Sequence, residues 1–311
     1  MTTETLQVTL HRQARAHTAF VGLVILSVII FWRTFHALVL FSLDHESSSH
    51  ILLIPVVSIY LLWTERSRIF QVVRPAPGRG TTLVLAAIAL YFFTASHWSA
   101  LDPERFLPGA TLAIVLLWLG GFLFCYGVTA WRRACFSLLF LLLMVPLPPT
   151  FLDRSIYLLQ QGSTEIAYLL FKALGVPVLR EGFLLTVPGV TIEVARECSG
   201  IRSSVALFIT CLLAAHLFLR TKWRMLVFVL LAFPLAIIKN GIRITTLTLL
   251  SVYVDPGFLT GRLHHEGGFV FFLLALAILF PVLLLLQKSE AHTKPSGLIP
   301  QKTESGFVGE L

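Results

Sequence analysis

What most restricts this chain is a series of long, continuous apolar runs, each close to the ~20 residues that cross a bilayer core as a helix. They lie near residues 18–41, 50–63, 81–98, 108–128, 133–147, 199–219, 225–252 and 268–287. Their hydrophobicity is continuous rather than alternating. Lipid offers no hydrogen-bond partner to an open backbone, so helices are expected rather than a barrel. Of 311 residues, 56% are hydrophobic and 13% charged, against roughly 25% charged in soluble domains. With 25 Phe and 6 Trp, the deficit of charge is not that of a disordered chain. The expectation is an all-α polytopic membrane protein of about eight transmembrane helices. It divides into a cytoplasmic N-terminus (1–17), one multi-span membrane domain (18–288) and a flexible cytoplasmic tail (289–311).

The net charge of +8 says less than its placement. Arg12 and Arg15 precede the first run, and Arg66, Arg68, Arg74 and Arg79 separate the second from the third. Arg132 and Arg133 separate the fourth from the fifth, and Arg220, Lys222 and Arg224 the sixth from the seventh. Lys288, Lys294 and Lys302 follow the last. Every second connection is thus basic, which by the positive-inside rule is the cytoplasmic side. Both termini are then expected inside, with segments 42–49, 99–107, 148–198 and 253–267 outside. Charges spread in this way are topology signals, so no nucleic-acid partner is expected.

The outward segment 148–198 is the longest. Residues 153–174 read as a helix but carry Arg154, Gln160, Gln161, Ser163, Thr164, Glu165 and Lys172. A crossing here would flip every later loop, so an amphipathic helix at the outer interface, or dipping into the bundle, is expected. The runs Val178 to Val187 and Val190 to Val194 flank Pro188-Gly189 and predict a short β-hairpin that leads into Cys198.

Polar groups inside or at the mouth of a membrane bundle are costly and point to function. Three clusters stand out: Arg196 to Ser204, Lys239-Asn240-Gly241-Ile242-Arg243, and Arg262 to Gly268. The topology puts all three toward the outer face. Of the four Cys, Cys125, Cys135 and Cys211 fall at inner ends or mid-span and read as packing residues. Cys198 alone reaches the outer side, so it has no partner for an internal disulfide. At a helix start, with Arg202 one turn on, its thiolate is favoured. A thiolate at Cys198, a guanidinium at Arg243 and an imidazole at His264 are parts for acyl transfer through a thioester. Metal binding by the adjacent His264, His265 and Glu266 is disfavoured because neighbours do not easily converge on one ion. No metal and no cofactor is expected.

Glu197-Cys198-Ser199-Gly200-Ile201-Arg202-Ser203, Asn240-Gly241-Ile242-Arg243-Ile244, and His264 with Gly268 four residues on resemble the exosortase/archaeosortase family. Ser49-His50 with Pro55, Pro146-Leu147-Pro148 and Gly175-Val176-Pro177-Val178 add to the resemblance, which covers roughly 20–287. Two positions depart from the usual pattern: Phe269 stands where Trp is common, and Glu197 where a small residue is common. The resemblance implies a cysteine protease or transpeptidase of the prokaryotic inner membrane, with its active site facing outward. Its partners would be membrane lipids and exported proteins that end in a short PEP-CTERM-like motif, a hydrophobic helix and a basic tail, often in exopolysaccharide producers. It assigns Cys198 as nucleophile, with Arg243 and His264 completing a triad. Asn240, Ser199, Gly200 and Arg202 are supporting residues, and Arg180, Arg196, Arg262 and His50 are candidates for substrate contact. Two other classes compete: a transporter or channel whose path is lined by Arg243 and Asn240, and a His-dependent membrane acyltransferase. The first would call for paired broken helices in two related halves, which the sequence does not display, although Pro234 and Gly241 interrupt the seventh run.

Overall fold

The structure, a computed structural model, describes residues 3–99, 101–259 and 268–292. The apolar runs become helices α1 (Thr3–Ile30), α2 (Trp32–Asp44), α3 (Leu53–Thr64), a single turn α4 (Arg66–Ile69), α5 (Pro77–His97) and α6 (Pro103–Phe140). After these come α7 (Pro149–Ala173), α8 (Ile201–Phe218), α9 (Lys222–Tyr253) and α10 (Gly268–His292). Helices α5, α6 and α7 each begin with Pro in the first turn. There the ring's fixed φ suits the helix, and its missing N–H would have had no partner.

Among the described residues, seven helical stretches are long and apolar enough to cross a membrane: His11–Ile30, Glu46–Thr64, Pro77–His97, Pro103–Met144, Glu197–Phe218, Lys222–Tyr253 and Gly268–Glu290. Two of the runs read from the sequence, 108–128 and 133–147, fall within the one 42-residue stretch Pro103–Met144. That stretch is not straight. Gly127 takes φ 81 and ψ −179, outside helical geometry, and a Cβ there would lie 1.6 Å from Arg74 O. Only glycine meets both demands. Before the break, α6 runs antiparallel to α5: Gly109 packs on Thr94, and Gly80 on Phe124. After it, α6 runs antiparallel to α3: Arg133 donates to Arg68 O (2.6 Å) and Ser58 to Ser137 O (2.6 Å). The chain therefore doubles back at Gly127. The first run, 18–41, is also interrupted, at Phe31 between α1 and α2. Hydrogen bonds from Phe31 N to Ser27 O (2.9 Å) and Phe35 N to Phe31 O (3.0 Å) carry the helix across.

The basic connections gather at one end of the bundle. His216 meets Glu65 at 3.5 Å, Gln13 donates to Phe70 O, and Glu290 accepts the backbone N–H groups of Arg220 and Thr221. At the opposite end Glu46 approaches Arg202 (3.9 Å), His45 approaches Glu104 (3.9 Å) and Asp153 pairs with Arg196 (2.5 Å). Two packing centres result. Buried Leu107, Ile114, Phe122, Tyr126 and Leu138 of α6 form the middle of the first, with α1, α2, α3 and α5 around it. The second is built on α9, where Phe228, Ala232 and Ala236 pack with Leu207 and Cys211 of α8 and Ala275 and Leu279 of α10.

Helix α7 is not among the long apolar stretches. It packs on α9, with Gly162 against Ile237 and Ile166 against Gly241. It buries Gln160, Ser163 and Thr164 on that contact face while Asp153 and Arg154 stay exposed. The expected hairpin is a three-stranded meander, β1 (Leu179–Glu181), β2 (Leu184–Val187) and β3 (Val190–Glu193). The turn at Pro188-Gly189 joins β2 to β3 as expected. The run Val178 to Val187, read as one strand, folds on itself at Gly182-Phe183 so that Glu181 pairs with Leu184. Leu185 and Val187 on the inner face then pack with Phe171 of α7 and Ile244 and Leu249 of α9.

Candidate active site

Leaving β3, the chain makes a short 3-10 turn, Glu197–Ser199, and reaches α8 through Gly200. Gly200 sits in the left-handed region (φ 73), and a Cβ on it would lie 2.8 Å from Asn240 Oδ1. A larger residue would both strain the backbone and push α9 away. Cys198 is therefore not in the first turn of α8, as the sequence predicts, but three residues before Ile201. The break at Gly200 also removes the helical relation to Arg202. Cys198 and Arg202 line different cavities.

Helix α9 fixes this turn from below. Asn240, 1% exposed, donates through Nδ2 to Cys198 O (2.9 Å) and to Ser163 Oγ of α7 (3.0 Å). The asparagine thereby joins the Cys198 turn, α7 and α9 at one buried point. Lys239, 3% exposed, donates to Ser203 Oγ, and Ser203 Oγ donates to Gly200 O (3.1 Å). Gly200 O accepts two further bonds, from Ser204 N (2.9 Å) and Ser204 Oγ (2.8 Å). Cys198 N donates to Ala195 O (3.0 Å) and Ser199 N to Arg196 O (3.1 Å). The Ser199 N–H is therefore committed to closing the turn and not directed at a reacting carbonyl. Ser199 is fully buried, and its Oγ has no hydrogen-bond partner among the described residues.

Two cavities meet at Arg243. The larger, about 510 Å³, is bordered by Glu46, Glu197, Gly200, Arg202 and Ser203 on its polar side and by Ala206, Phe269 and Phe272 on its apolar side. The smaller, about 260 Å³, lies against Cys198, with Ile192, Val194, Ile244, Leu247 and Thr248 around it. Arg243 borders both. Its guanidinium interacts electrostatically with Cys198 on one side and with Glu46 on the other. A half-buried thiol with a guanidinium at its side in a mainly apolar pocket can hold a thiolate and the oxyanion formed when it attacks a carbonyl.

The remaining sequence candidates separate. Arg180 on β1 is paired with Glu165 of α7, and Arg196 with Asp153. Both cations are occupied by acids of the same chain, and neither borders the two cavities. His50 lies in the turn before α3, where its ring is hydrogen-bonded to the backbone of Ser47 and Leu143. That bond ties α3 to the end of α6 and leaves His50 away from Cys198's pocket. Arg262, His264, His265 and Glu266 lie outside the described residues. The part played by Lys239, Ser203 and Ser163 in holding the turn is not evident from the sequence. A lysine in the middle of a 32-residue apolar helix was the available signal.

The comparison with family models matches residues 32–281 to the transmembrane exosortases. No curated protein and no solved structure matches the chain. The family match covers the α6 hairpin, and also the turn bearing Cys198 and the full length of α9, which border the two cavities. On that match, the chain belongs to the transmembrane exosortase family.

Proposed function

We propose that this exosortase is a cysteine peptidase and transpeptidase. It cleaves a C-terminal sorting signal of the PEP-CTERM kind (short motif, hydrophobic helix, basic tail) from exported proteins. The observation that carries this reading is that Cys198 and Arg243 border one pocket, and that Arg243 also borders a larger mixed-polarity cavity. The substrate's apolar helix lies in the bilayer beside the bundle and presents its motif at the end where Cys198 sits. The Cys198 thiolate attacks the scissile carbonyl. The pair of electrons displaced from the C=O bond resides on an oxyanion held by Arg243. His264, assigned by family resemblance, protonates the leaving amine, and the C–N bond breaks to give a thioester on Cys198. An amine, a lipid nucleophile or water then gives its proton to His264, attacks the thioester carbonyl and releases the thiolate.

The same reading places the protein in the prokaryotic inner membrane with eight crossings, counting the α6 hairpin as two. The end that gathers Arg68, Arg133, Arg220 and Arg224 faces the cytoplasm by the positive-inside rule. Both termini are then cytoplasmic, and Cys198 faces outward. The test is Cys198→Ala or Cys198→Ser in membranes that contain C-terminally tagged substrates. Loss of processing with an unchanged amount of enzyme is expected, and a substrate thioester on wild-type Cys198 should be captured by mass spectrometry. Unchanged processing in Cys198→Ala overturns the reading.

A further inference from the structure

Lys239 is the one lysine buried among the described residues. It occupies the middle of α9, one turn before Arg243 on the same helix face. An ammonium enclosed in a membrane bundle is expensive, and such residues are kept for a function or matched with a partner. The partner here is not an acid. Lys239 donates to Ser203 Oγ, whose own proton goes to Gly200 O at 3.1 Å. That carbonyl closes the first turn of α8 by accepting Ser204 N at 2.9 Å. The next residue along α9, Asn240, donates to Cys198 O at 2.9 Å. Two consecutive side chains of α9 therefore grip the Cys198–Ser204 segment from one side, one of them a lysine.

We infer that Lys239 is a positioning residue for Cys198: through Ser203 and Gly200 it fixes the turn that carries the thiol, and its buried charge favours the thiolate. This rests on the reading of Cys198 as the nucleophile. The other charged groups around the turn divide in sign. Glu197 adjoins the thiol and opposes a thiolate, and Glu193 of β3 borders its pocket. Arg243 of α9 supports it, while Arg202 of α8 faces Glu46 from the turn after α2. Helix α7 presents Asp153 to Arg196, and at the buried contact it contributes only the neutral Gln160, Ser163 and Thr164. With an acid as its immediate neighbour, Cys198 depends on the cations held near its turn, and Lys239, buried one helical turn before Arg243, is tied to that turn through Ser203.

The test uses the full-length protein in lipid nanodiscs, without substrate. Alkylation of Cys198 by iodoacetamide is followed by site-resolved mass spectrometry across a range of pH. Lys239→Met is expected to raise the midpoint of Cys198 alkylation by about one pH unit, which is roughly a tenfold slower reaction at neutral pH. Lys239→Arg, which keeps the charge, is expected to stay near wild type. Ser203→Ala, which keeps the lysine but removes its tether, should lie between the two. A wild-type midpoint in folded Lys239→Met or in Ser203→Ala overturns the inference, and Ser203→Ala can overturn it even if Lys239→Met fails to fold. Processing assays on Cys198→Ala test the functional reading separately, because alkylation needs no substrate and no turnover.

Discussion

The two halves of the bundle bury polar groups in different ways. Around α6 they are neutral hydroxyls and an indole, several of which bond one another or a backbone carbonyl: Ser58 donates to Ser137 O at 2.6 Å, Ser42 to Ser48 O at 2.9 Å, and Trp118 Nε1 to Ser27 Oγ at 2.8 Å. Each such bond fastens one helix to another, or a helix to its own loop, without placing charge in the membrane. Around α9 the buried set includes an ammonium and two primary amides: Lys239, Asn240 and Gln160. Asn240 and Gln160 donate to backbone carbonyls beside the Cys198 turn, at Cys198 and Val194, while Lys239 reaches that turn through Ser203. The first half holds itself together, and the second holds the turn that carries Cys198. The difference shows that Lys239, Asn240 and Gln160 are buried where a turn is fixed. The α6 half reaches its packing with apolar contact and neutral bonds.

That contrast can be broken experimentally. The largest effect is expected from Cys198→Ala, which should abolish processing while leaving the melting temperature of the purified protein near wild type. Next is Phe122→Ala in the first half. Phe122 is 1% exposed and packs on Phe20, Phe70 and Tyr126. Truncation should cost about 3–5 kcal/mol, seen as a lower melting temperature with unchanged processing per folded molecule. Asn240→Ala should show the reverse weighting. It leaves Ser163 without its amide partner and frees Cys198 O, at about 1–3 kcal/mol in stability, and its main effect should be processing reduced about tenfold or more. Asn240→Asp keeps the shape but loses the N–H donors to Ser163 Oγ and Cys198 O, so it should not rescue activity. The smallest effect is expected for Ser58→Ala, about 1 kcal/mol, detectable as a modest melting shift without loss of processing. If Phe122→Ala and Asn240→Ala fell equally on stability and processing, the division between the halves would be lost.

Much of this was legible in the chain. The apolar runs gave the helices because only helices and closed barrels satisfy a backbone in lipid, and continuous rather than alternating hydrophobicity selects the helix. The alternation of basic connections agrees with the way Arg68, Arg133, Arg220 and Glu290 collect at one end. The charged and amide residues of 153–174 keep α7 out of the set of helices long and apolar enough to cross a membrane. The β-turn at Pro188-Gly189 was legible for a local reason, since Pro and Gly suit consecutive turn positions. The strand reversal at Gly182-Phe183 is marked too, by Arg180-Glu181-Gly182 with Gly182 at φ 62, but reading Val178 to Val187 as one strand passes over it. The helical relation between Cys198 and Arg202 failed for a similarly local cause. Gly200 in the left-handed region ends the turn before α8 begins, and sequence spacing alone assumes a continuous helix.

By itself the sequence determined that this chain enters a membrane as a set of helices, that its basic loops alternate, and that Cys198, Asn240, Arg243 and His264 carry its family resemblance. These are properties of composition and order, set by the cost of exposing backbone or charge to hydrocarbon. Only the tertiary structure decided that the reversal between the fourth and fifth runs falls at Gly127, that Arg243 stands between two cavities, and that Lys239 reaches Gly200 through Ser203. Those are contacts between residues distant in the chain. They exist because α7, α8 and α9 pack closely enough for a few polar side chains to satisfy one another out of reach of water.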